Sequence, residues 1–216
     1  MRVDSHACVA PAHVRAHETV RQGAYRHPSG QVFALAEAKG LPRLWPLALD
    51  AVLGGFEGGL AGEDARQAAS VAERLELALR AARRELRGLH SRLVERLLPD
   101  AALLGLDCSG DGLEIVGAGD VRTYVHRGGE TERLTPRERP KDALLRGTPF
   151  RSRTELHPGD VVLAGSETAF SQVSIRRVAS VLGDAPETPA PVLADLLAEP
   201  AAQAGVGAVA VVLRVR

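Results

Sequence analysis

The chain has 216 residues, enough for one domain with a substantial core. Apolar residues make up 45% and aromatics only 3%, so that core must be built from Leu, Val and Ala. Lys plus Arg and Asp plus Glu balance at 27 each, so bulk charge gives no reason to expect a nucleic-acid or membrane partner.

Residues 2–10 alternate loosely and suit an edge strand, and residues 11–30 are polar and rich in His and Arg, as a loop or irregular strand would be. Met1-Arg2-Val3-Asp4 lacks the apolar segment of a signal peptide, and no apolar run reaches the ~20 residues of a membrane span, so a cytoplasmic chain is expected. Cys8 and Cys108 then read as reduced thiols. His6, Cys8, His13 and His17 have the side-chain types of a zinc site. Their spacing matches no finger pattern and Pro11 interrupts them, so they read as polar strand and loop residues.

Residues 31–36 form an apolar run after Pro28-Ser29-Gly30 and predict a buried strand. Pro42 and Pro46 punctuate the start of a short helix, residues 44–53, which Gly54-Gly55 and Gly58-Gly59 should break. That glycine-rich stretch lacks the Lys-Ser/Thr of a phosphate cradle and reads as a flexible loop. A long helix is predicted over residues 64–97, with Val71, Leu75, Leu79, Ala82, Leu86, Leu89, Leu93 and Leu97 on one face and Pro99 as its stop. The stripe suits packing against a sheet of the same domain; the same stripe could instead serve a coiled-coil dimer. Arg80, Arg83, Arg84 and Arg87 interleave with Glu73, Glu76 and Glu85 and read as a solvated, ion-paired face.

Short strands follow at residues 101–106, 113–116, 122–126 and 131–134, with hairpin signals at Asp111-Gly112 and Gly128-Gly129, and a meander is the natural reading. Residues 135–153 are charged and irregular, 161–164 a strand, 173–182 a helix, 192–199 a helix stopped by Pro200, and 209–215 a closing strand. The order predicts an α+β fold with segregated layers, one domain spanning residues 1–216. No nucleophile elbow, Walker A or dinucleotide fingerprint is present.

One succession carries more. Gly119-Asp120-Val121-Arg122 leads into a strand and the Gly128-Gly129 turn, then Leu134-Thr135, Pro158-Gly159-Asp160, a strand, and Gly165-Ser166-Glu167. This order resembles the metal-dependent serine/threonine phosphatases of the PPM (PP2C-like) family, including the sporulation-phosphatase branch. There the run is Gly-Asp-Ser-Arg, a strand, Leu-Thr, Pro-Gly-Asp, a strand, and Ser-Asp-Gly. The resemblance covers about residues 20–215. It implies a sandwich of two antiparallel β-sheets flanked by α-helices. It also implies two Mn²⁺ or Mg²⁺ ions at one end, held by aspartates and a backbone carbonyl, with a bridging water as nucleophile.

The metal motifs depart from that pattern. Where the family reads Ala-Asp-Gly-Met-Gly-Gly, this chain has Ala36-Glu37-Ala38-Lys39-Gly40-Leu41. Glu37 stands for the bridging Asp, Ala38 for the carbonyl-donating Gly, and Lys39 adds a cation beside a would-be cation site. Ser-Asp-Gly becomes Ser166-Glu167-Thr168. The later Asp-Asn falls on Val206-Gly207, and the upstream Asn-Glu-Asp falls near Arg21-Gln22-Gly23, with no acid at either. Asp120 matches an aspartate that the family uses for structure near the site. The resemblance therefore implies a degenerate metal site on Glu37 and Glu167, with Asp120 behind it, no assignable catalytic residue, and no or weakly bound Mn²⁺ or Mg²⁺. A pseudophosphatase is expected, working in signalling by binding a phosphoprotein, a kinase or an anti-sigma-type partner. The alternatives are an active Mn/Mg-dependent phosphatase with an altered site and a helix-mediated structural or dimerisation module. No nucleic-acid or membrane partner is expected.

Overall fold

Period-two alternation sets the layers of this molecule. In the strand Val32–Lys39, Phe33 and Leu35 face one way while Val32, Ala34, Ala36 and Ala38 face the other, and all are buried. Such a strand has a sheet in front and helices behind. The computed structural model describes residues 2–14, 17–94, 97–110, 112–137 and 143–216. In chain order its strands are β1 (Val3–Val14), β2 (His17–Thr19), β3 (Gln22–Arg26), β4 (Val32–Lys39), β5 (Asp100–Asp107), β6 (Gly112–Ala118), β7 (Val121–Arg127), β8 (Glu130–Arg133), β9 (Phe150–Glu155), β10 (Val161–Ser166) and β11 (Val206–Val215). The helices are α1 (Trp45–Ala61), α2 (Glu63–Arg66), α3 (Val71–His90), α4 (Glu167–Gln172), α5 (Ile175–Asp184) and α6 (Ala190–Gln203).

Two sheets result, ordered β2-β1-β11-β10-β7-β8 and β3-β4-β5-β6-β9. Every pairing in them is antiparallel. Phe33, Leu35, Leu104, Ile115, Val162 and Val211 fill the space between the sheets. Helices α1 and α3 cover the outer face of the five-stranded sheet through Val52, Phe56, Leu75 and Leu86. Phe170, Val178, Leu193 and Leu197 of α4–α6 cover the other outer face. The predicted α+β sandwich of two antiparallel sheets flanked by helices is the observed architecture.

Several local expectations change. Helix α1 runs through Gly54-Gly55 and Gly58-Gly59 instead of breaking there. A Cβ at Gly55 would lie 2.8 Å from Ala82 Cα, and one at Gly59 2.6 Å from Ala78 Cα. These two glycines let the backbones of α1 and α3 touch, a packing use of glycine that a breaker reading misses. The predicted long helix is two. Ser70 Oγ accepts from Glu73 N at 3.1 Å and Glu73 Oε2 accepts from Ala69 N at 2.8 Å, so capping restarts the chain at Val71. Helix α3 ends at His90, so Leu97 lies outside it and is 65% exposed. The stripe Leu75, Leu79, Ala82, Leu86 and Leu89 is buried inside the molecule, which leaves the coiled-coil reading without a face.

The four short strands are not one meander. β5–β6 and β7–β8 are hairpins in different sheets, and Gly119-Asp120 carries the chain between them. Gly119 has φ +90° there, and a Cβ on it would lie 2.8 Å from Ala102 Cβ. The Gly128-Gly129 turn is as predicted, with φ of 56° and 85° at its two residues. Asp111 of the other predicted turn lies outside the described residues. Residues 2–10 extend to Val14 as one strand that is nearly an edge, bordered by β2 alone on its outer side. The polar stretch after it supplies β2 and β3, and the charged stretch 135–153 supplies the start of β9. Pro200 lies inside α6, where the donor it removes falls near the last turn. Among the described residues no helix is long and apolar enough to cross a membrane.

Candidate functional site

The antiparallel registers bring five strand termini to one end of the sandwich. In the five-stranded sheet Gln22 pairs with Glu37, so the start of β3 meets the end of β4. In the other sheet Ser166 pairs with Val121 and Ala12 with Val206, which places the end of β10 beside the starts of β7 and β11. Glu37 continues the parity of Phe33 and Leu35, so it points between the sheets and is 1% exposed. It lies within β4, two residues short of the strand's end.

Gln22 spans the gap. Its Nε2 donates to Gly207 O at 3.2 Å, and lies 3.4 Å from both Val206 O and Thr168 Oγ1. Thr168 Oγ1 is 2.8 Å from Ser166 Oγ, which accepts from Val209 N at 3.2 Å. The motif positions at 21–22, 37, 166–168 and 206–207, far apart in the chain, thus converge. Gly207 has φ +68°, and a Cβ on it would lie 2.5 Å from Gln22 Oε1. The amide of Gln22 and any side chain at 207 exclude each other unless one moves.

The acids of this end are met by arginines. Arg21 Nη2 lies 2.7 Å from Glu37 Oε1. The Arg21 guanidinium also lies 5.4 Å from the ring centroid of Trp45, a cation–π contact. Arg122, 7% exposed, reaches Asp120 through Nε and Glu167 through Nη2, each at 3.5 Å. Burial pushes the Glu37 carboxyl above the usual carboxylate range. Arg21 and Lys39 pull it down, and Glu167 and Asp120 push it up further. Both other acids of this end therefore act on Glu37. Glu37 Oε2 and Gln22 Oε1 are buried acceptors that receive no hydrogen bond.

Of the residues singled out by sequence, Glu37 and Glu167 come to this end together with Asp120, and Asp120 pairs with Arg122. Lys39 is near enough to act on Glu37. Sequence reasoning attached no role to Arg21, Gln22 and Thr168. The signal available was their coincidence with altered motif positions. Among the described residues, no three of His, Cys, Asp and Glu stand as a metal site would need. In the His6/Cys8/His13/His17 group, His6 and Cys8 pair with β11 whereas His13 pairs with Glu18 of β2. Burial and an Asp195 contact push the Cys8 thiol up to about 11, away from the thiolate a zinc ion binds.

Further stabilising chemistry lies at the opposite end. The Pro158-Gly159-Asp160 turn turns its acid inward, and Asp160 accepts from Arg127 Nε at 2.8 Å, Arg127 Nη2 at 2.6 Å and His157 N at 2.8 Å.

Two packed antiparallel sheets with helices on each outer face are the fold of PPM-type serine/threonine phosphatases. The Mycobacterium tuberculosis serine/threonine phosphatase PstP matches at 20% identity over 99% of both chains, TM-score 0.78. The PstP catalytic domain solved with two manganese ions gives 21% over 99% of both chains and 0.79. The S. agalactiae serine/threonine phosphatase matches at 16% identity over 100% of both, TM-score 0.79. The PPM Ser-Thr phosphatase MsPP from Mycobacterium smegmatis, in complex with cacodylate, matches at 18% over 99% of this chain and 98% of its own, TM-score 0.71. At identities this low, the TM-scores and coverage show a shared fold and nothing beyond it. No family model and no curated protein matches the sequence.

Proposed function

We propose that this PPM-fold protein is a pseudophosphatase that works by binding a phosphorylated or regulatory protein, a kinase or an anti-sigma-type partner among them, in the cytoplasm. One observation carries the reading: the carboxylates available for metals are already balanced by cations of the chain itself. Glu37 has Arg21, and Asp120 and Glu167 share Arg122. With Lys39 the formal charges are three negative and three positive, so the cluster is neutral without any ion. A pair of divalent cations would bring four further positive charges into a part-buried site that already holds three. Hard cations need several oxygen ligands, and the positions that carry acids in the family carry Gln22 and Gly207 here. The donor set does not fit a binuclear centre.

A second reading, an active enzyme with an altered site, is favoured by one observation. Glu37 Oε2 and Gln22 Oε1 are buried oxygens with no donor, and a single weakly bound Mn²⁺ or Mg²⁺ would satisfy them. The deciding experiment is turnover of a phosphoserine peptide with Mn²⁺. The pseudophosphatase reading predicts no phosphate release above background. Manganese-dependent release that disappears in Glu167→Ala would establish the enzyme instead.

A further inference from the structure

Beside the ion-paired cluster, at the same end of the sandwich, a cleft of about 590 Å³ opens between the end of β4, the start of β5 and the C-terminal turn of α3. That volume lies within the ~300–1,000 Å³ of ordinary small-ligand pockets. Lys39, Arg87 and Arg146 line it. Among the described residues none of the three stands within ion-pair distance of a carboxylate. The acid in the lining, Asp100, has its Oδ1 engaged by Ala101 N at 2.8 Å and Leu145 N at 3.1 Å. Lys39 is opposite Asp100 in register and acts on it electrostatically, as does His90. With Lys39 already counted against the Glu37 cluster, the cleft's own balance among the described residues is Arg87 and Arg146 against Asp100, a surplus of one positive charge before any contribution from His90. Leu97 and Leu98, 65% and 42% exposed, form an apolar flank to the same cleft.

We propose that this cleft binds a phosphate monoester, presented as the phosphorylated serine or threonine of a protein partner. The identification of the partner rests on the reading of the protein as a non-catalytic binder. A phosphate monoester at neutral pH carries about −1.5 to −2 charge and three acceptor oxygens, which an arginine pair without carboxylate partners is suited to receive. Two guanidiniums offer forked donors to those oxygens and Lys39 adds a point charge. Leu97 and Leu98 are covered by the residues that flank the phosphorylated side chain. Free inorganic phosphate offers the same anion without that flank. The cleft adjoins the Glu37 cluster and shares Lys39 with it; Arg87 and Arg146 come from α3 and the segment before β9, and Arg21 and Arg122 take no part in its lining.

The test is calorimetric titration with three probes: a short peptide with phosphoserine between two leucines, the same peptide with serine, and inorganic phosphate. The phosphopeptide is expected to bind at least about tenfold more tightly than the serine peptide, and to weaken at least about tenfold in the Arg87→Ala/Arg146→Ala variant. Both arginines are exposed, so the variant keeps its core. Higher salt should weaken the binding. Equal binding of the two peptides, no binding, or wild-type affinity in the double-arginine variant overturns the proposal. Inorganic phosphate binding as well as the phosphopeptide overturns the protein source while the arginine dependence upholds the anion site. Phosphorus NMR of the same samples with Mn²⁺ separates the two ideas. Conversion of phosphoserine to phosphate defeats the non-catalytic reading, and the arginine variants still judge the cleft.

Discussion

Gln22 and Glu37 are register partners on neighbouring strands, both 1% exposed, and each keeps one side-chain oxygen without a donor. The amide reaches across to the other sheet and the carboxylate takes an arginine. This end of the sandwich is thereby closed by hydrogen bonds and ion pairs made within the chain.

The buried charge of Glu37 gives a pH signature. Its folded pKa lies above that of an unfolded glutamate, about 4.3. The folded state therefore holds the proton more tightly. Its stabilising contribution is complete below about pH 4.3 and is lost as pH rises through the folded value. Glu37→Gln removes that loss. Thermal melts should show the variant gaining on wild type between pH 4 and pH 8. A variant that instead loses ground as pH rises would mean the Arg21 pair outweighs the burial.

The α1–α3 contact separates two adjacent glycines. Gly59→Ala places a methyl 2.6 Å from Ala78 Cα and should cost about 1–3 kcal/mol. Gly58→Ala meets nothing within 4 Å on the same helix and should stabilise by about 0.5–1 kcal/mol. Urea unfolding of both measures the difference in sign; equal effects would contradict the packing described.

Asp160 should be a strong stability determinant. Burial alone would raise its pKa, and the Arg127 and His157 hydrogen bonds more than offset that and hold it below the usual range. A lowered folded pKa means stability present above the unfolded value and lost as pH falls through the folded one. Asp160→Ala should cost about 2–4 kcal/mol at neutral pH, shrinking in acid. Denaturant titrations at pH 7 and pH 3 check both parts.

Leu86 tests the rejected dimer. It is fully buried against the sheet. Leu86→Arg would bury an unpaired charge and should abolish the cooperative melt. A folded variant that changes only its oligomeric state would restore the coiled-coil reading.

The elements were legible because their signals are local, namely the apolar run around Phe33 and Leu35, the glycine turn at 128–129 and the apolar step of α3, and the two-sheet sandwich followed from the motif order that resembles the PPM family. Errors came where tertiary contact reverses a local preference. Gly55 and Gly59 look like breakers until α3 lies against them, and Asp64 looks like a helix start until Ser70 caps a second one. The site was half legible. Glu37 and Glu167 stood out as altered motif positions, but Arg21 and Gln22 gain meaning only when β3 pairs with β4 and faces Gly207. Composition and spacing do not carry that pairing.

The central claim is that the chain's own arginines stand in place of metal charge. Calorimetric titration of the protein with Mn²⁺ tests it most directly, since it needs no substrate. The account predicts no specific binding up to millimolar Mn²⁺. Micromolar binding that is lost in Glu37→Ala would contradict it.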